Sequence, residues 1–139
     1  MNIGVFDSGL GGLFILKSLV RRLPQYNYVY LGDTKRLPYG NRSPEVIYKF
    51  TFEAVDFLFK QNCQLVVLAC NTASAEALRK LQREFLPKYY PDRRVLGVVI
   101  PTIEVAQTGH FKRIGVLATQ GTVRSRVYSK EFTKLKSQA

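Results

Sequence analysis

Short apolar runs of strand type alternate with helix-period segments along the whole chain, and this alternation predicts an α/β fold. The expectation is one domain over residues 1–139, a parallel sheet of about five strands with helices on both faces, forming a three-layer sandwich. Two further observations support it. Runs such as LVVLA (65–69) and RIGVLA (113–118) are continuously apolar, as strands buried on both faces are. With 139 residues and 46% hydrophobic composition, the chain has enough apolar side chains for a single core.

Each element has its own signal. NIGVF (2–6) reads as the first strand, and the segment 11–23 after it carries Leu13, Leu16, Leu19, Val20 and Leu23 at helical spacing. YVYLG (28–32) is the second strand. A helix then opens with Ser43 as N-cap and Pro44 at its first position, and runs to about residue 61 with Val46, Ile47, Phe50, Ala54, Phe57 and Leu58 on its apolar face. LVVLA (65–69) is the third strand. A helix over 73–85 stops before Pro87, RVLGVV (94–99) is the fourth strand, RIGVLA (113–118) the fifth, and 122–136 the last helix. Sheets wound in this way are flavodoxin-like.

Composition excludes several classes. No apolar segment approaches the roughly 20 residues that cross a bilayer. The start, MNIGVFDSG, lacks the basic flank and small-residue cleavage site of a signal peptide, so a chain beginning near Met1 and staying in the cytosol is expected. Two cysteines in that setting are expected as free thiols, and with a single histidine no metal site of Cys and His spacing is foreseen. The net charge of +11 raises nucleic-acid binding. Its lysines and arginines are scattered in short clusters at element ends, however, so specific nucleic-acid binding is not expected, and an acidic small substrate would feel the same attraction.

In open parallel sheets, ligands bind beyond the carboxyl ends of the strands. Here the segments that follow the strands are DSGLGG, GDTKRLPYGN, CNTAS, PT and TQGT. They bring Asp7, Ser8, Tyr39, Cys70, Asn71, Thr72, Thr119 and Thr122 to one edge. DSGLGG has neither the glycine spacing of a dinucleotide fingerprint nor the ending of a P-loop, so its glycines are read as a tight turn that holds Asp7 and Ser8 at the strand end, with Asp7 also a possible helix cap. Cys70 stands where a strand ends and a helix begins. Such a position favours a thiolate, the form needed by a nucleophile or by a base acting on a carbon acid. A buried strand-end cysteine is the competing reading, and for Cys63 nothing opposes it. The short hydroxyl and amide groups around Cys70 suit the carboxylate and ammonium groups of a small zwitterion. His110 precedes the fifth strand at the other end of the sheet, so no Ser-His-Asp arrangement is available, and it is read as a surface histidine.

Taken together and in order, GVFDSGLGGL, YLGDTKRLPYG, ACNTASA and GVLATQGTVRSRVY resemble the N-terminal half of bacterial glutamate racemases, within the aspartate/glutamate racemase superfamily. The likeness runs from Ile3 to about Tyr128. It implies an isomerase that needs no cofactor and inverts the α-carbon of glutamate between two cysteine thiols, one taking the α-proton and the other returning one. By that resemblance Cys70 is one acid/base and Asp7 its carboxylate partner. Asp7, Ser8, Tyr39, Gly40, Asn71 and Thr72 would bind substrate, with Thr119 and Thr122 holding a carboxylate. The implied role is D-glutamate supply for peptidoglycan in a bacterial cytosol.

The resemblance also implies a second domain with a second cysteine in a Cys-Thr-His motif, and this sequence has no such motif. Cys63 is no substitute: it stands seven residues before Cys70, about 23 Å of extended chain at roughly 3.3 Å per residue. A carbanion reprotonated on the face that lost its proton returns to the starting enantiomer. One thiol therefore predicts exchange without efficient inversion. The missing face would come, in order of expectation, from the remainder of a longer racemase, from a separate polypeptide, or from a second copy of this chain. The alternative is a non-catalytic module that keeps the pocket and binds glutamate or a partner.

Overall fold

The computed structural model describes residues 1–109 and 111–136; His110 lies outside the described residues. Its centre is a parallel four-stranded sheet in the order β2-β1-β3-β4, formed by β1 (Asn2–Asp7), β2 (Asn27–Gly32), β3 (Leu65–Leu68) and β4 (Arg94–Gly97). The register aligns Asp7 with Gly32 and Phe6 with Leu68, so three strands end at nearly the same level. All the segments that follow them therefore start from one edge.

Alternate residues of these strands face opposite layers, because side chains in a strand repeat every second position. On one face Phe6, Val66 and Leu68 pack with Ala54, Val55 and Leu58 of α2 (Pro44–Lys60). On the other, Ile3, Val5 and Val67 pack with Leu16 and Leu19 of α1 (Gly12–Arg22). The three-layer α/β expectation holds. The α2 layer is the thicker one, since Gly12 is the only residue of α1 that is buried and Phe14 is 79% exposed.

Ser43 caps α2 as its sequence predicts, its side chain accepting from the Val46 N–H at 3.3 Å, with Pro44 in the first turn. Cys63 lies fully buried in the α2-side core, where burial pushes its thiol pKa up; both cysteines are free.

Four boundaries differ from the sequence reading. The helix expected over 73–85 begins earlier and continues past Pro87, as α3 (Asn71–Glu76), α4 (Leu78–Lys80), a π-helical turn (Leu81–Phe85) and α5 (Leu86–Tyr89). Pro87 sits in the first turn of α5, where a missing N–H breaks no ladder bond, so it does not stop the helix. The fourth strand ends at Gly97, and the chain turns at once into α6 (Val99–Thr108). The last helix is two, α7 (Gln120–Ser125) and α8 (Val127–Lys136), separated by Arg126 in the left-handed region at φ 55°.

The fourth difference is the fifth strand. Residues 113–118 form no ladder, and Ile114, Val116 and Leu117 are exposed. Local β preference is a weak constraint without a partner edge. Here the chain spends 99–108 on a helix that packs against α3 and α8, and it returns without pairing to β4. Among the described residues, no helix is long and apolar enough to cross a membrane.

Candidate functional site

The edge at the strand ends is organised around two clusters. In the first, Asp7 closes the turn after β1: its Oδ2 accepts from the Gly9 N–H at 3.2 Å and the Gly12 N–H at 3.0 Å. Its carboxylate is 7% exposed. The helix-cap role is therefore real in geometry, and it presents Ser8 beside Cys70. The Cys70 Sγ lies 3.3 Å from the Ser8 Oγ, to which the thiol donates, and accepts from the Ala73 N–H at 3.4 Å. Cys70 is the N-cap of α3. Its sulfur is held from two sides, by a hydroxyl and by the first turn of a helix.

Tyr30 belongs to this cluster although the sequence offered no sign of it. Its hydroxyl donates to the Gly9 carbonyl at 2.9 Å, and its pKa is raised by burial first and then by the nearby Asp7 and Cys70. Gly12 makes the close approach possible, because a Cβ there would lie 2.6 Å from the Asp7 Cβ and 3.0 Å from the Ala69 Cβ.

The second cluster is a chain of hydroxyls. Thr72 and Thr119 pair Oγ1 to Oγ1 at 2.9 Å, and Thr119 and Thr122 at 3.1 Å. Thr119 also caps α7, accepting from the Thr122 N–H. Gly40 is pressed against it: the Gly121 N–H donates to the Gly40 carbonyl at 2.8 Å, and a Cβ at Gly40 would stand 2.7 Å from the Thr119 Cβ. Because Cys70, Asn71 and Thr72 are consecutive, the thiol and the hydroxyl chain share one helix start. Thr119→Val should remove the cap and the hydroxyl bridge together, lowering unfolding stability by about 1 kcal/mol in urea titration.

Two expected residues are engaged elsewhere. The Tyr39 hydroxyl donates to Asp33 Oδ2 at 2.5 Å and its ring is buried beside Phe6 and Phe50. Asn71 is exposed, its Oδ1 accepting from the Tyr128 hydroxyl at 2.8 Å. A cavity of about 570 Å³, lined by Phe111, Ile114, Val116 and Phe132 among others, shares only Tyr128 with this neighbourhood. Among the described residues, no group of three or more His, Cys, Asp or Glu side chains is placed to hold a metal ion.

Behind the hydroxyl chain, Arg124 of α7 donates to the Arg42 carbonyl at 3.0 Å and stands 3.9 Å from Glu76 Oε1 on α3. That oxygen is buried without a hydrogen bond among the described residues, and burial raises the Glu76 pKa against the pull of Arg124. A carboxyl whose folded pKa is raised favours folding most below its unfolded value, and that contribution is lost as pH rises through the folded value. Glu76→Gln should therefore be more stable than the parent at pH 7, by about 1 kcal/mol, with the difference gone near pH 4, read as unfolding midpoints.

The similarity to known proteins extends over nearly the whole chain. No family model matches the chain. It is 44% identical over 143 residues to the glutamate racemase of Dinoroseobacter shibae, covering 95% of this chain and 51% of that protein. Its identity to the glutamate racemase of Oceanobacillus iheyensis is 43%, over 98% of this chain and 48% of the relative. The glutamate racemase structure from Aquifex pyrophilus superposes with a TM-score of 0.88 at 41% identity, over 96% of this chain and 51% of that one. The chain is homologous to the N-terminal half of glutamate racemases. The Francisella tularensis glutamate racemase, solved in complex with D-glutamate, matches at a TM-score of 0.80 and 38% identity over 96% of this chain. The chain spans about half the length of the glutamate racemases it matches.

Proposed function

We propose that this chain supplies one face of a cofactor-independent glutamate racemase site, with Cys70 as the thiol that takes or returns the α-proton. The supporting observation is the setting of the sulfur: Cys70 Sγ lies at the carboxyl edge of the sheet, bonded by the Ala73 N–H and next to the Ser8 hydroxyl. In the forward step the α C–H bond breaks, an S–H bond forms, and the electron pair stays on the α-carbon as a carbanion. The Ala73 N–H and the Ser8 hydroxyl hold the sulfur in place for the transfer. Thr72, Thr119, Thr122 and the Gly40 backbone bind a carboxylate of glutamate, and Asp7 holds the turn that carries Ser8. The excess of positive charge draws an acidic amino acid toward the surface.

The opposite face of the carbanion is served by a second half of the kind that makes up the rest of the relatives' length, or by a second copy of the chain. Exposed Leu10 and Phe14 beside the turn, and Val116 and Leu117 on the unpaired run, provide apolar surface for that contact. The biological role is provision of D-glutamate for peptidoglycan in a bacterial cytosol. The burial of Cys70, 7% exposed with its thiol donating to the Ser8 hydroxyl, favours one second reading, a glutamate-binding module without turnover. Incubation with each glutamate enantiomer in D₂O separates the two. Loss of the α-proton NMR signal from one enantiomer supports catalysis, whereas measurable binding with no exchange from either supports the module.

A further inference from the structure

The loop between β2 and α2 brings Gly40 to the hydroxyl chain, and its anchor lies at the far end. The Asp33 N–H donates to the Asp7 carbonyl at 2.9 Å, which fixes Asp33 to the end of β1. Its Oδ2 then accepts from two side chains of the same loop, the Tyr39 hydroxyl and Arg36 Nε, each at 2.5 Å. Arg36 is itself held, its guanidinium lying 4.1 Å over the Phe50 ring and bonding Glu53 of α2. The Tyr39 ring is 2% exposed between Phe6 and Phe50. Burial, and then the bond to Asp33, push the Tyr39 pKa far above its ordinary value, so its proton stays in place. The hydroxyl's proton is thus directed to Asp33.

We propose that Asp33 is a positioning residue: acting through the Tyr39 hydroxyl, it sets where Gly40 lies against Thr119 and Gly121. The geometry leaves little slack, since Gly40 is next in sequence to the pinned tyrosine, its carbonyl takes the Gly121 N–H, and even one added carbon at Gly40 would collide with Thr119. A hydrogen bond to a carboxylate, part-buried as this one is, is also the strong kind. The consequence for substrate binding rests on the functional reading above.

The test separates the two. Tyr39→Phe keeps the ring and deletes the hydroxyl, and Asp33→Asn keeps the shape and deletes the charge. In each, hydrogen exchange at the Gly121 amide should accelerate about tenfold or more, while the Ala69 amide, bonded to the Phe6 carbonyl just past the end of β3, keeps its parent rate. The double variant should exchange no faster at Gly121 than the faster single one, because both substitutions break the same link. Glutamate titrated calorimetrically into the same proteins should bind about tenfold more weakly to the variants. Unchanged Gly121 exchange in both single variants, or accelerations that multiply in the double, would overturn the positioning role whatever glutamate does. Accelerated Gly121 exchange with no glutamate uptake by the parent would support the positioning role and overturn the substrate reading alone.

Discussion

Cys70→Ser is expected to abolish α-hydrogen exchange from glutamate in D₂O, with a loss of at least a hundredfold, the lower range for removing a general base. Serine is close to cysteine in size and is a preferred N-cap residue, so its hydroxyl can accept from the Ala73 N–H as the sulfur does. The unfolding midpoint should stay within about 0.5 kcal/mol of the parent. A serine hydroxyl, however, carries no useful anion near neutral pH. The contrast matters because Cys63 serves as an internal control: it is fully buried and contacts core side chains, so Cys63→Ala should leave exchange intact while lowering stability. Exchange that survives Cys70→Ser would place the base elsewhere.

A large loss of stability from a single small change is expected at Gly12. Gly12→Val puts a Cβ within 2.6 Å of the Asp7 Cβ and 3.0 Å of the Ala69 Cβ, and both are atoms fixed next to the backbone of adjacent segments. Neither can swing aside as the tip of a long side chain would. Overpacking of this sort costs about 1–3 kcal/mol, and moving α1 outward would also break the Gly12 N–H bond to Asp7 Oδ2. We expect a loss of about 3 kcal/mol or more in urea, out of a total that for domains is about 5–15 kcal/mol. Detachment of the turn should also release Ser8 from the Cys70 sulfur. An unchanged midpoint would mean that α1 has freedom the packing does not suggest.

Much of this was legible in the sequence because the signals were local. Continuous apolar runs gave the first three strands, Ser43 and Pro44 opened α2, and the rule that ligands gather at strand ends brought Asp7, Ser8, Cys70 and Thr72 to one edge. The misplaced elements failed for a common reason. Residues 113–118 have the composition of a strand, but a ladder needs a free partner edge, and nothing local says whether one is within reach. Pro87 reads as a stop, yet in a first turn its missing N–H is harmless. Tyr39 was expected from its motif to face substrate. Only the fold shows that Asp33, which the sequence reading passed over, takes its hydroxyl. Tyr30 was missed because a tyrosine inside a strand looks like any other core residue until the neighbouring turn is placed over it.

The central claim is that this chain holds one thiol base acting on one face of the glutamate α-carbon. The measurement that tests it most directly is the configuration of glutamate that has taken up deuterium, resolved by chiral chromatography with mass detection after incubation in D₂O. The account predicts deuterium in one enantiomer with its configuration retained, and inversion only when a second racemase half is supplied. Efficient inversion catalysed at a concentration where the chain is monomeric would contradict it, because two opposed bases would then have to lie within this single chain.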